Sequence, residues 1–209
     1  TLAQVRKEDL HLSVEDQLYF RCKAGRAVPM VELRIVDPNM KDVPHDGSTI
    51  GEVVVRAPWL TQGYIDDTQG SDHLWRGGYL HTGDLGHMHK LGYLKVTDRI
   101  KDVIKSGGEW ISSLLLEDIA TNHSQVIEAA AIGLPDDKWG ERPLVLVVVR
   151  LDVEFDLENL KKEFSEAADD GLIPSWAIPE RIEIVDEIPK TSVGKIDKKY
   201  LRACYLVSG

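Results

Sequence analysis

Apolar positions follow two different rhythms along the chain. From residue 26 to residue 97 they come in short runs with a period of two. Val31, Leu33 and Ile35 alternate with Glu32 and Arg34, as in a strand with one face buried. Gly51–Arg56 reads as a second strand, and Trp75–Tyr79 and Tyr93–Val96 as two more. Asp37-Pro38-Asn39 and His45-Asp46-Gly47-Ser48 supply the turn chemistry between them. The pattern predicts a small β-rich, barrel-like subdomain. Ahead of it, Ser13 and Asp16 form a capping pattern for a helix over 14–24, with Gly25 as its stop.

The rhythm changes near residue 98, where a charged stretch, Asp98-Arg99-Ile100-Lys101-Asp102, runs into Gly107-Gly108. Beyond it, 113–122 reads as a helix with Leu115, Leu116 and Ile119 available to a core. Val126–Ile132 and Pro143–Leu151 are mostly apolar and β-branched, so they read as buried strands. Leu157, Leu160, Phe164 and Ala168 make one stripe of an amphipathic helix over 157–168. A short strand over 181–185 and a basic helix over 197–206 complete the series. The expected fold is therefore α+β: a β-rich unit over 1–98, then a compact α/β domain over 99–209, joined by a hinge.

Composition narrows the functions open to such a chain. A formal net charge of −10 over 209 residues disfavours non-specific nucleic-acid binding. Cys22 and Cys204 form no paired spacing, no apolar run is long enough for a transmembrane segment, and Thr1–Val5 carries no signal pattern. A cytoplasmic location is expected on those grounds, and the missing initiating Met fits a truncated or processed chain. Thr191–Ile196 invites a phosphate-loop reading. It fails because Pro189 stands where the first glycine is needed and Ile196 where a hydroxyl would hold magnesium. His87 and His89 share one side of a strand with no third ligand close in sequence, so no metal site is expected.

Four segments carry the remaining chemistry. They are Gly51–Arg56 continuing to Gln62-Gly63-Tyr64; Tyr79–Asp84 with its Thr-Gly-Asp turn; Gly92–Asp102 running into Lys105-Ser106-Gly107-Gly108-Glu109-Trp110-Ile111; and Glu187–Thr191 through Gly194-Lys195. In order and spacing they resemble the later motifs of the adenylate-forming superfamily. The Lys-Ser-Gly-Gly-Glu-Trp-Ile-Ser wording is similar to its medium- and long-chain fatty acyl-CoA ligases. The likeness covers nearly the whole chain and implies the C-terminal part of an AMP-forming acyl-CoA synthetase.

The resemblance implies a role for each matching residue, beside which a plainer reading stays open. Asp84 offers a carboxylate to a ribose diol, or is a turn residue. Arg99 offers a planar fork to the nucleotide ribose, or pairs with Asp98 or Asp102. Asp102 matches the hinge about which the C-terminal domain turns between two arrangements, or is a solvated carboxylate. Lys105 serves the second half-reaction, or is a surface lysine. Gly107 and Gly108 line a pantetheine tunnel, or form a β-turn. Trp110 gates the acyl site, or packs against a core. Lys195 drives adenylation by reaching an α-phosphate and a carboxylate together, or leads a helix at the surface. Lys190, Lys198, Lys199 and Arg202 either help to hold an anion or form a solvated face.

For the full-length enzyme the resemblance implies ATP, magnesium and coenzyme A. The substrate is a small-molecule carboxylic acid of the fatty acid class, and oligomers are compatible with it. The Ser/Thr/Gly-rich phosphate loop and the Tyr-Gly-x-Thr-Glu segment of the family are not in this sequence. Its own N-terminal region is the implied partner, and the chain alone is expected to be inactive. An adenylation domain loading a carrier protein and a non-catalytic nucleotide-binding module are the alternatives.

Overall fold

The computed structural model describes residues 1–150 and 155–206, so Leu151, the last residue of one expected strand, lies outside the described residues. The chain separates into two compact units, Thr1–Lys101 and Asp102–Gly209. The division falls three residues later than the charge pattern suggests and leaves Arg99 in the first unit.

The first unit is a meander of four antiparallel strands in the order β1-β2-β3-β4: β1 (Glu32–Val36), β2 (Gly51–Arg56), β3 (Leu80–Met88) and β4 (Leu94–Arg99). Strands β1 and β4 are its edges. The sheet is open, where the strand pattern suggested a barrel. Alternation sends Ile35 and Val53 to one face, with Met88 and Leu94, and Val36 and Val54 to the other, with Tyr79. Helix α1 (Val14–Arg21) starts where expected: Ser13 Oγ accepts the Asp16 N–H at 3.1 Å. It ends at Cys22, and Gly25 serves instead to bridge back to Leu94. Phe20 of α1 packs with Val5 and Tyr93.

One expected strand is absent. Trp75–Tyr79 follows helix α2 (Thr68–Leu74), capped by Asp67, and includes a 3-10 turn at Arg76–Gly78. Gly77 and Gly78 both take positive φ there, which breaks any extended run.

The second unit is a layered α/β domain. Its sheet runs β6-β5-β8-β7, with β5 (Ile104–Ser106), β6 (Glu109–Ile111), β7 (Val126–Asp136) and β8 (Gly140–Val149). Strand β9 (Arg181–Ile184) pairs parallel to β8. Both faces of the β7–β8 pair are covered, which explains the apolar runs Ala129–Ile132 and Leu144–Val149 at their centres. Ala129, Ala131, Val145 and Val147 pack towards α3 (Ser113–Asn122) and α4 (Leu157–Asp169). Ala130, Ile132, Leu144 and Leu146 pack with Leu201 of α5 (Lys198–Leu206). The sequence pattern does not announce β5 and β6, because three-residue strands are too short for a period to register.

Candidate functional site

In the first unit the chain builds a bulge at the Thr-Gly-Asp segment. Glu52 pairs with Leu85 and Val54 with His81, so Thr82, Gly83 and Asp84 all lie opposite Val53. Gly83 takes φ +71°. Thr82 Oγ1 donates to the Val53 carbonyl at 2.7 Å and accepts the Asp84 N–H at 3.1 Å, which ties the bulge to β2. Asp84 is thereby set directly opposite Arg99 on β4. The Arg99 Nε lies 3.3 Å from Asp84 Oδ1, and both side chains are partly open to solvent. The ribose pair implied by the motifs is thus brought together, as an ion pair, and the Arg99 backbone N–H also donates to Asp98 Oδ1 at 2.7 Å.

Asp102 is not a solvated carboxylate. Its Oδ1 accepts from Arg202 Nη2 of α5 at 3.2 Å, and both side chains are largely buried. Lys105, on β5, is exposed, and its backbone N–H donates to Glu141 Oε2 at 2.8 Å. It stands directly across the hairpin from the half-buried Trp110 on β6.

Gly107 and Gly108 form the two-residue turn of this hairpin, with φ +61° and +85°, the twist-matched geometry that strongly favours glycine. The Gly107 N–H donates to the Trp139 carbonyl at 2.7 Å. Gly107 also borders a pocket of about 370 Å³ that Trp139, Arg142 and Trp176 help to line. Arg142 crosses its wall to the Trp176 carbonyl at 2.6 Å and to Glu180 at 2.7 Å.

Lys195 lies on a hairpin loop closed at every level. Lys190 bridges Ile196, the Thr191 N–H donates to the Lys195 carbonyl at 2.7 Å, the Lys195 N–H donates to Thr191 Oγ1 at 3.3 Å, and the Gly194 N–H donates to the Thr191 carbonyl at 2.8 Å. Gly194 takes φ +79°, the glycine bulge of a three-residue hairpin loop. Asp197 then closes the loop through its N–H on the Pro189 carbonyl, at 2.8 Å, and caps α5 through Oδ1 on the Tyr200 N–H, at 3.0 Å.

The basic neighbourhood around this loop is mostly neutralised. Lys190 Nζ is 2.9 Å from Glu128, and Arg202 is held by Asp102. Lys198 is buried, which corrects its place on a solvated face: its Nζ is 2.7 Å from both Ser113 Oγ and Glu117 Oε1. Lys195 and Lys199 are exposed and have no ion-pair partner among the described residues. Only Lys195 of the two belongs to the closed loop, at the position that pairs with Thr191. Sequence reasoning missed the Lys198 network, for which no local signal exists: its partners lie 85 and 81 residues upstream.

Among the described residues, no three His, Cys, Asp or Glu side chains converge to hold a metal ion. His87 is buried, and that burial, reinforced by Lys23 and Lys95, holds its imidazole below its ordinary pKa. None of the described helices is long and apolar enough to cross a membrane.

Residues 115–195 match the family described as AMP-binding enzyme C-terminal domain. The chain is 39% identical over 195 residues to the long-chain-fatty-acid–CoA ligase of Thermus thermophilus, covering 93% of this chain and 35% of that protein. It is 42% identical over 201 residues to the 3-methylmercaptopropionyl-CoA ligase of Ruegeria lacuscaerulensis, covering 96% and 35%. Among solved structures, the amide bond synthetase of Marinactinospora thermotolerans aligns with a TM-score of 0.78 at 33% identity, covering 91% of this chain and 38% of that one. The chain spans 35% of the length of either ligase.

Proposed function

Because the chain belongs to the adenylate-forming acyl-CoA ligase family, we propose that it supplies the nucleotide-ribose contacts, the hinge and the catalytic lysine of a longer enzyme that joins a carboxylic acid to coenzyme A. In the first half-reaction a carboxylate oxygen attacks the α-phosphorus of ATP. The bond from that phosphorus to the bridging oxygen breaks, and pyrophosphate leaves with the charge. In the second, the sulfur of coenzyme A attacks the acyl carbon, loses its proton, and displaces AMP.

The observation that carries this reading is the charge pattern around the 189–197 loop. Lys190, Lys198 and Arg202 are each committed to a carboxylate, whereas Lys195 is held forward on a rigid loop without one. An unpaired ammonium on a preorganised backbone is what stabilisation of a pentavalent phosphorus requires. Asp84 then takes the ribose hydroxyls, with Arg99 beside it. Asp102 is the hinge position, standing at the boundary of the two units. The Gly107–Gly108 turn, beside its pocket, is the path for the acceptor's pantetheine arm, with Trp110 as gate and Lys105 available to the second half-reaction. Magnesium enters with the ATP phosphates as part of the substrate.

The acid is a fatty or other small carboxylic acid. The ligase relatives take different acids by name, and one structural relative is named for making an amide. Acid and acceptor are therefore read by experiment: acid-dependent exchange of labelled pyrophosphate into ATP by the full-length protein, across carboxylic acids of graded length. Exchange that peaks with one class names the substrate. Product formation with free coenzyme A, a carrier protein or an amine then names the acceptor. No exchange with any acid, from folded protein that binds ATP, overturns the adenylation reading in favour of a nucleotide-binding module.

A further inference from the structure

We propose that the buried cluster of Lys198, Glu117 and Ser113 is a positioning device for Lys195, fixing the root of the lysine loop against the edge of the sheet. The proposal rests on the reading of Lys195 as the adenylation lysine.

Among the described residues strand β7 pairs with β8 alone, so its other edge presents backbone groups that no strand pairs. Glu117, reaching from α3, covers that edge: its Oε1 accepts the Ala131 N–H at 2.8 Å. The same oxygen receives Lys198 Nζ, at 2.7 Å, which also donates to Ser113 Oγ. Lys198 and Glu117 are about nine-tenths buried. Such a pair gains little net stability over an apolar pair of the same shape, because two charges are taken out of water to make it. Its direction and length, however, are tightly specified by short charge-assisted bonds.

What it specifies follows from the chain. Lys198 is the first residue of α5, and only Ile196 and Asp197 separate it from Lys195. Upstream, Lys190 repeats the same device on the same strand by pairing with Glu128 of β7. The loop is therefore gripped at both ends by acids borne on or against β7, and Lys195 is the unpaired cation between the grips. Play at the root of α5 would pass through Ile196 and Asp197 to the Lys195 ammonium. A misplacement of ~1 Å can cost on the order of 100-fold in rate. The sequence hides this arrangement because Lys198 looks like any other lysine of a basic helix.

The test uses the full-length ligase and measures its half-reactions separately. Lys198→Met is expected to lower the kcat of acid-dependent pyrophosphate exchange on the order of 10- to 100-fold, with KM for ATP and acid little changed. Conversion of preformed acyl-AMP by coenzyme A should persist, and Lys198→Arg should restore most of the exchange. If Lys198→Met folds poorly, Lys198→Met with Glu117→Gln removes both charges and keeps an amide oxygen for the Ala131 N–H; the same kcat-selective loss is expected. Unchanged exchange from either folded variant, or equal loss of both half-reactions, overturns the proposal. A failed premise looks different: Lys195→Ala would then leave exchange intact as well, whereas a failed positioning role leaves only the Lys198 variants active.

Discussion

The two units handle charge at their candidate sites in opposite ways. In the first, Asp84 and Arg99 neutralise each other across β3 and β4, and a ligand must enter an existing ion pair. In the second, every neighbouring cation but Lys199 is bound to protein, and Lys195 is left to meet an anion unopposed. The exposed Asp84–Arg99 pair is worth little by itself, since water and salt screen it. Under the proposed function, exchanging one partner for ribose hydroxyls would cost little, and its gain would be correspondingly modest. On the proposed reading, the unpaired lysine contributes most when charge develops on phosphorus, which is where transition-state selectivity comes from. Under the proposed function, the contrast would give ground-state binding to the first unit and rate to the second.

The strongest way to break that assignment is Lys195→Ala in the full-length enzyme. Pyrophosphate exchange should fall on the order of 10²- to 10³-fold, while turnover of preformed acyl-AMP with coenzyme A survives. Equal damage to both half-reactions would remove Lys195 from the adenylation step. Asp84→Ala should act more weakly and in the other parameter. KM for ATP is expected to rise about 10-fold, the worth of a lost hydrogen bond to a charged group, with kcat nearly constant. A kcat-dominated loss at Asp84 would erase the division between binding and rate.

A third substitution sharpens the comparison through stability. Gly107 and Gly108 share positive φ, but a Cβ on Gly107 would lie 3.2 Å from Trp139 Cε3, whereas one on Gly108 meets nothing within 4 Å. Both alanine variants strain the backbone by roughly 1–2 kcal/mol; only Gly107→Ala adds a contact against the pocket wall. Its Tm should fall further than that of Gly108→Ala. Equal shifts would mean that Trp139 yields without cost.

Much of this architecture was legible because it is local. The period-two strand at Glu32–Val36, the helix at Ser113–Asn122 and the doubly buried β7 and β8 announce themselves in windows of ten residues. The four motifs also named the segments that carry Asp84, Arg99 and Lys195. What stayed hidden depends on partners far away in sequence. The burial of Lys198 needs Ser113 and Glu117, and the anchoring of Asp102 needs Arg202, 100 residues on. Openness of the first sheet is likewise a property of whether β1 meets β4, which no strand's own pattern encodes. The Arg76–Gly78 turn was misread for a different reason: Trp75 and Tyr79 have high β propensity, but two glycines at positive φ overrule it.

The smallest expected effect concerns the first unit alone and follows from His87. Its side chain is buried on β3, its Nδ1 makes no hydrogen bond among the described residues, and the neighbouring charges of Lys23 and Lys95 oppose a second positive charge. All of these push its pKa below the ordinary value of 6.5. In the unfolded chain the imidazole takes up a proton as pH falls through that value, while the folded protein resists doing so. Its neutral form therefore favours the fold above about pH 6.5, and that contribution is lost as pH falls towards the folded pKa. Hydrogen exchange along Leu80–Met88 should quicken between about pH 7.5 and pH 5.5, after correction for the intrinsic rate, more than along Val126–Asp136 of the second unit. His87→Gln, which cannot titrate, should remove that excess. If wild type and variant keep the same difference between the two strands, the acid sensitivity of the first unit lies elsewhere than at His87.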